Sequence, residues 1–225
     1  MNTYITNRFG NVEETFNDKQ TKQFIKAIQG NKFECYFKLI MAYQLSRPEL
    51  LNLEWKDIDF ENDTITIYPI SAIRNSKFYY SWQMTKLEEF KRTLPLLPSI
   101  KTLLLEEKEK HELNELKENY DTNNSNFICL KDNGTRLNIN TLSRNFRYVA
   151  RDNNLPQLLL SSLRISLDNA IMKFAKSYEF YRAWTRFDCT TKRPKNIYAD
   201  YDLNSKRFIK ALDDFICQSK SEMEM

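Results

Sequence analysis

Glycine is nearly missing from this chain: Gly10, Gly30 and Gly134 are the only three in 225 residues. A P-loop or a G-x-G-x-x-G turn needs clustered glycines so that backbone can approach a phosphate, and neither has room here. Histidine is scarcer still. The single His111 lies in Glu106-Glu107-Lys108-Glu109-Lys110-His111-Glu112, a run that reads as a solvated helix face. With one histidine and no C-x-x-C, zinc sites and Ser-His-Asp chemistry are not expected. Cys35, Cys129, Cys189 and Cys217 are scattered and read as reduced, mostly buried thiols. No apolar run approaches the ~20 residues needed to span a bilayer. Met1 to Gly10 lacks the apolar stretch of a secretory signal, so a cytoplasmic protein with no membrane partner is expected.

What the chain does have is core-forming material and an uneven charge. Hydrophobic residues make up 41% and aromatics 13%, enough for one sizeable core. The net charge is only +4, yet residues 131–210 hold 16 Lys/Arg against 7 Asp/Glu, and the remainder holds 18 against 23. A basic half beside an acidic half is the pattern expected where one face meets a polyanion. An ordinary surface with a fortuitous split is the alternative.

Patterning predicts an α+β fold, mainly helical with a small antiparallel β-sheet. Residues 1–16 read as an irregular lead-in and 17–225 as one domain. A helix starts at Asn17 or Asp18 and runs to Gly30; a second covers Phe33 to Tyr43. Ser46 and Glu49 have the spacing of a capping box, with Pro48 in the first turn, and Leu50, Leu53 and Trp55 line the buried side. Strands are expected at Thr64 to Ile67, Lys77 to Trp82 and Arg92 to Leu96. A long charged helix follows from Ser99 to Asn119, then a loop, an Asp132-Asn133-Gly134 turn, and helices over 140–152, 162–176, 178–187 and 203–218.

Several of these segments resemble, in order, the signature blocks of the tyrosine recombinase (phage integrase) family. Leu45 to Asp59 is similar to T-G-L-R-x-x-E-L-L-x-L-x-W-x-D-I-D, with Ser46 where the first catalytic arginine is expected. Lys86 to Leu96 resembles the string that leads out of the family's β-hairpin, with Lys86 on the hairpin lysine. Ser161-Ser162-Leu163-Arg164 resembles H-x-L-R, with Arg164 on the second arginine and Ser161 in place of histidine. Asn196 to Tyr201 resembles the I-Y-x-H segment, with Tyr198 on the nucleophile.

The resemblance implies a tyrosine oxygen that attacks a DNA phosphate and stores the bond covalently. Guanidinium forks hold the negative transition state, and a hairpin lysine protonates the leaving hydroxyl. No metal or cofactor is implied. Ser46 and Ser161 leave that set degenerate. Arg47 is a possible substitute for the missing arginine, although one residue along a helix turns the side chain by ~100°. Trp184 is a candidate for the later His/Trp role. Plainer readings stand beside these. Ser46 caps a helix, Ser161 or Ser162 caps the one bearing Arg164, Lys86 is a surface lysine, and Tyr198 is a half-buried aromatic.

Arg47, Arg136, Arg144, Arg147 and Arg151 are the candidate DNA contacts. The last three recur at i, i+3 and i+7, on one helix face, which is otherwise an exposed basic face. Phe208, Ile209, Leu212, Phe215 and Ile216 form a stripe that suits docking on the chain's own core or, as the family implies, on a neighbouring subunit in a homo-oligomer. Active members of the family carry a further N-terminal domain that completes a clamp on the duplex. A truncated gene, a stand-alone relic and an expressed fragment are all compatible with this chain. Three functions follow: a DNA-binding integrase-like protein of site-specific recombination, weak or inactive in cleavage; a noncatalytic DNA-binding regulator; or a helical interaction module that kept only the fold.

Overall fold

Phe16, Phe24, Phe37 and Phe146 meet in one buried cluster, Phe24 edge to face with Phe37 and Phe146 and the other pairs tilted, with ring centroids 5.3–6.2 Å apart. The N-terminal third of the chain and the helix Ile139–Asp152, more than 100 residues further on, therefore share one core. The computed structural model describes residues 3–6, 12–68, 91–175, 177–185 and 202–217. Lys86, Tyr198, Cys189 and the Lys77 to Trp82 strand candidate lie outside them.

Residues 1–16, read as irregular, instead carry β1 (Thr3–Thr6) and β2 (Val12–Thr15), paired antiparallel with Thr3 opposite Thr15. Their alternation is too short to register as a strand pattern, and β2 gains its support from a distant partner. Thr15 Oγ1 donates to the Ser162 carbonyl at 3.3 Å.

Helix α1 (Asp18–Ala27) starts where expected: Asn17 and Gln20 form a reciprocal capping box. Helix α2 (Glu34–Tyr43) is buried from Cys35 to Tyr43, including Lys38, whose ammonium is paired with Glu34 at 2.7 Å. A helix apolar all round belongs in the middle of a domain, and α2 occupies that place. Helix α3 (Arg47–Leu51) is followed by a short turn into β3 (Ile58–Asp59), β4 (Thr64–Ile67) and β5 (Arg92–Pro95). These form an antiparallel sheet of order β3-β4-β5, with Ile65 opposite Leu94. Ile65, Ile67, Arg92 and Leu94 face inward, while Thr66 and Thr93 share a hydrogen bond outside.

Helix α4 (Pro98–Glu115) packs on α2. The turn after it depends on Gly134, at φ +80°, because a Cβ there would collide with the Asp121 carbonyl and the Tyr120 ring. Then come α5 (Ile139–Asp152), α6 (Leu160–Leu163), α7 (Asp168–Phe174), α8 (Tyr178–Thr185) and α9 (Asp202–Cys217). The helix expected over 162–176 is broken at residues 164–167. Ser166 and Asp168 donate to the carbonyls three residues back, and the Thr21 hydroxyl takes the Ser166 carbonyl at 3.2 Å. Such tight turns end an α-helix. Phe208, Leu212 and Ile216 of α9 are buried in this chain's own core, beside Phe180 and Trp184. No helix among the described residues is long and apolar enough to cross a membrane.

The solvated face expected around His111 needs correction. His111 is 6% exposed, its ring edge-on to Trp55 at 5.6 Å, and its Nε2 lies 3.5 Å from Glu107. Ile100, Leu104, Glu107, His111 and Asn114 form one buried stripe, so the inward face of α4 simply continues through polar residues. Glu107 takes a hydrogen bond from Tyr36 Oη at 2.6 Å and another from Lys110 at 2.7 Å. Burial pushes its pKa up, but hydrogen bonds from His111, Lys110 and Tyr36 outweigh it and hold the carboxyl at about 2, below its ordinary 4.5.

A depressed carboxylate stabilises the fold above its unfolded pKa, and that stability fades as pH drops toward the folded value. The expected loss is roughly 3 kcal/mol between pH 4.5 and 2. Urea unfolding of wild type and Glu107→Gln across this window checks it: the gap between them should be full at pH 7 and shrink on acidification. A gap independent of pH would contradict the assignment.

Candidate active site

The chain leaves α2 through Gln44, a non-glycine residue at φ +50°. Left-handed backbone at a helix end reverses the chain and usually selects glycine. Here the longer side chain is put to use, since Gln44 Nε2 donates to Asp168 Oδ1 at 2.9 Å. Ser46 follows and caps α3. Its hydroxyl accepts from Glu49 N at 3.4 Å, and Glu49 Oε2 accepts from Ser46 N at 2.8 Å. Arg47, the first residue of α3, is exposed, and no hydrogen bond or ion pair engages its guanidinium among the described residues.

Arg164 stands at the end of α6, half-buried and likewise without a hydrogen-bond or ion-pair partner among the described residues. Ser161 beside it is half-buried. Neither Ser161 nor Ser162 caps this helix, because the cap is Leu159 with no side-chain bond. Ser162 is instead enclosed, its carbonyl taken by Thr15 and Ser166. The Gln44–Asp168 bond ties the end of α2, two residues before Ser46, to the start of α7, four residues after Arg164. Asp168 also accepts from Tyr181 Oη, 2.8 and 2.9 Å from its two oxygens.

A second junction lies alongside. The Arg92 guanidinium, 4% exposed, donates to the Tyr43 carbonyl at 2.6 Å and to the Trp184 carbonyl. Trp184 Nε1 donates to the Ala42 carbonyl at 2.7 Å, and the indole stacks on Tyr43. Trp184 is thus a core residue with its N–H committed, so it has no free donor for the role considered for it. The junction joins β5, α2 and α8. Lys86 belongs to the segment that precedes β5, and Tyr198 to the one that follows α8.

The remaining arginines divide. The Arg136 guanidinium lies 3.4 Å above the Phe127 ring and donates to the Leu51 carbonyl and to Asn52 Oδ1, so it braces the end of α3. Arg144 and Arg147 are exposed on α5, with no ion pair among the described residues, whereas Arg151 pairs with Asp152 at 2.9 Å. The inner stripe of α5, Leu142, Phe146, Val149 and Ala150, fixes the outward direction of these arginines.

Sequence reasoning missed Arg92, Gln44, Asp168 and Tyr181. Arg92 had a signal, since it occupies an inward place in the alternation of β5. The other three had none, because their meeting depends on a contact across 124 residues.

No protein-family profile matches the chain. Over 111 residues it is 30% identical to a tyrosine recombinase XerC-like protein of Caldanaerobacter subterraneus subsp. tengcongensis, covering 46% of this chain and 28% of that protein. The crystal structure of XerA recombinase superposes with a TM-score of 0.56 at 14% identity, over 76% of this chain and 55% of that one. XerH recombinase bound to palindromic difH substrate gives 0.55 at 15% identity, over 94% and 53%. The Tn1549 transposon integrase in complex with circular intermediate DNA gives 0.54 at 17% identity, over 76% and 56%. The chain spans little more than half the length of these solved chains and under a third of the curated relative. Its fold is that of a tyrosine recombinase catalytic domain.

Proposed function

Starting from a chain related to the tyrosine recombinases in sequence and fold, we propose that it is a duplex-DNA-binding, recombinase-type protein of site-specific recombination and integration, in which strand cleavage is weak or lost. One observation carries this reading. Where the resemblance expects an arginine, Ser46 is closed into a capping box, while Arg164 keeps a half-buried guanidinium with no partner among the described residues. A half-buried guanidinium without a partner is open to an arriving anion, and a scissile phosphate is the anion this fold suggests.

Arg164 then supplies one fork to the phosphate and Arg47, at the start of α3, a partial second. Tyr198 takes the nucleophile's role and Lys86 that of proton donor to the leaving hydroxyl. With Ser46 and Ser161 in place of arginine and histidine, the developing charge loses preorganised donors, each worth ~10²–10³ in rate. Arg144 and Arg147 grip the backbone of the duplex, positioning it without reading sequence. Arg151, held by Asp152, and Arg136, held against Phe127, contribute less. The capped Ser46 equally favours a second reading, a noncatalytic regulator that occupies its site by the same surface.

Binding to duplex DNA should be steeply salt-dependent. Arg144→Ala/Arg147→Ala is expected to flatten the plot of log affinity against log salt by about 2, one contact per arginine. If the double variant binds with unchanged affinity and slope, α5 is not the contact surface. If neither protein binds duplex at all, the interaction-module reading takes over.

A further inference from the structure

At the N-terminal end of α2, roughly 15 Å along that helix from Gln44, a half-open cleft of about 320 Å³ is walled by α2, α4, the 130–137 turn and α5. Its volume is at the lower end of those that hold small molecules. The DNA-binding proposal makes no use of it, and the present inference does not depend on that reading.

The walls have two characters. Phe33, Leu130 and Leu137 give apolar surface, and all three are nearly buried. The polar side combines a satisfied network with unanswered charge. Glu107, 7% exposed, is already engaged by Tyr36 Oη and Lys110 Nζ, so this carboxylate and ammonium largely cancel. At the mouth, Lys32 and Lys131 have no ion-pair partner among the described residues; the Lys32 ammonium lies only over the Phe33 ring, at 4.8 Å. Asp132 is the opposing carboxylate there, which leaves one positive charge over. The same mouth lies at the start of α2, where the first-turn carboxylate, Glu34, is already paired with Lys38.

We propose that this cleft binds a small organic anion: a carboxylate or phosphate head held between Lys32 and Lys131, with one flat apolar ring against Phe33 and Leu137. The lysines set the sign of the charge, and the apolar wall demands a body behind it. A bare inorganic anion leaves that wall wet.

Calorimetric titration of the whole chain with phenyl phosphate, benzoate, inorganic phosphate and a short duplex tests this. Phenyl phosphate or benzoate should bind at least about tenfold tighter than inorganic phosphate, since ring burial contributes more than the 1.4 kcal/mol that factor represents. Lys32→Ala/Lys131→Ala should weaken that binding at least tenfold while duplex affinity is unchanged. Both side chains are exposed, so the fold should survive; Thr141→Trp, which fills the cleft from the exposed α5 side, should block the ligand by size alone. Three results would overturn the proposal: no ring-bearing probe binds; inorganic phosphate binds as well as phenyl phosphate; or the duplex displaces the probe and the lysine variant loses duplex affinity. The last would make the head group a backbone phosphate of nucleic acid. None of these outcomes bears on whether Arg144 and Arg147 hold DNA.

Discussion

A nicked suicide duplex, selected for binding to this chain, is expected to trap covalent protein at least ~10²-fold more slowly than a recombinase with both catalytic arginines present. The expectation rests on Ser46. Its side-chain oxygen and backbone N–H are both engaged with Glu49, and a serine has no positive charge to offer a phosphate. Ser46→Arg removes the cap at a cost of about 1 kcal/mol and returns a guanidinium to the start of α3. Combined with Ser161→His, it should raise adduct formation by at least tenfold, and adding Tyr198→Phe should abolish the gain. Effects within one reacting constellation do not add, so the double variant is more informative than either single change. Rapid trapping by wild type, lost in Tyr198→Phe, would show that Arg164 and Arg47 suffice and that the site is not degenerate in function.

Arg92→Ala should be the most destabilising single change of those considered, by roughly 3–5 kcal/mol in urea unfolding. Tyr43 is the last residue of α2 and Trp184 the penultimate residue of α8. Their carbonyls are among those a helix end leaves without an internal partner. One buried guanidinium serves both, at the negative ends of two helix dipoles. Hydrogen bonds to a charged group contribute about 1.5–3 kcal/mol each, and truncation leaves the buried carbonyls unpaired. Arg92→Lys keeps the charge but not the fork, so an intermediate loss is expected. A loss under 1 kcal/mol for Arg92→Ala would mean that desolvating the guanidinium cancels what its bonds contribute. Because the junction joins the elements flanking Lys86 and Tyr198, weakened DNA binding by folded Arg92→Lys would show that it also aligns the site.

Local chemistry was legible wherever it was self-contained. Asn17 as a cap and Ser46 with Glu49 as a capping box announce helix starts because capping involves only a few consecutive residues. The Asp132-Asn133-Gly134 turn and the inward faces of α5 and α9 follow in the same way from spacing. His111 was misread because charge-rich text looks solvated, whereas Glu107 and the Trp55 ring supply the contacts that accompany its burial. The helix expected over 162–176 failed for a related reason: the threonines that help break it, Thr15 and Thr21, lie some 145 residues upstream. The N-terminal strands went unseen because a two-stranded ribbon is marginal by itself and gains support from α6.

By itself, the sequence determined the helix-rich α+β class, the caps at Asn17 and Ser46, the inward faces of α5 and α9, and the two serines that stand where the resemblance expects an arginine and a histidine. These follow from propensity, periodicity and identity, which act over a few residues. Only the tertiary structure decided that Arg92 closes two helix ends, that Gln44 reaches Asp168, that Arg136 is braced while Arg144 and Arg147 are open, and that a cleft forms at the far end of α2. Each of those outcomes depends on which distant groups are desolvated together, and burial is a property of the assembled fold rather than of any stretch of chain.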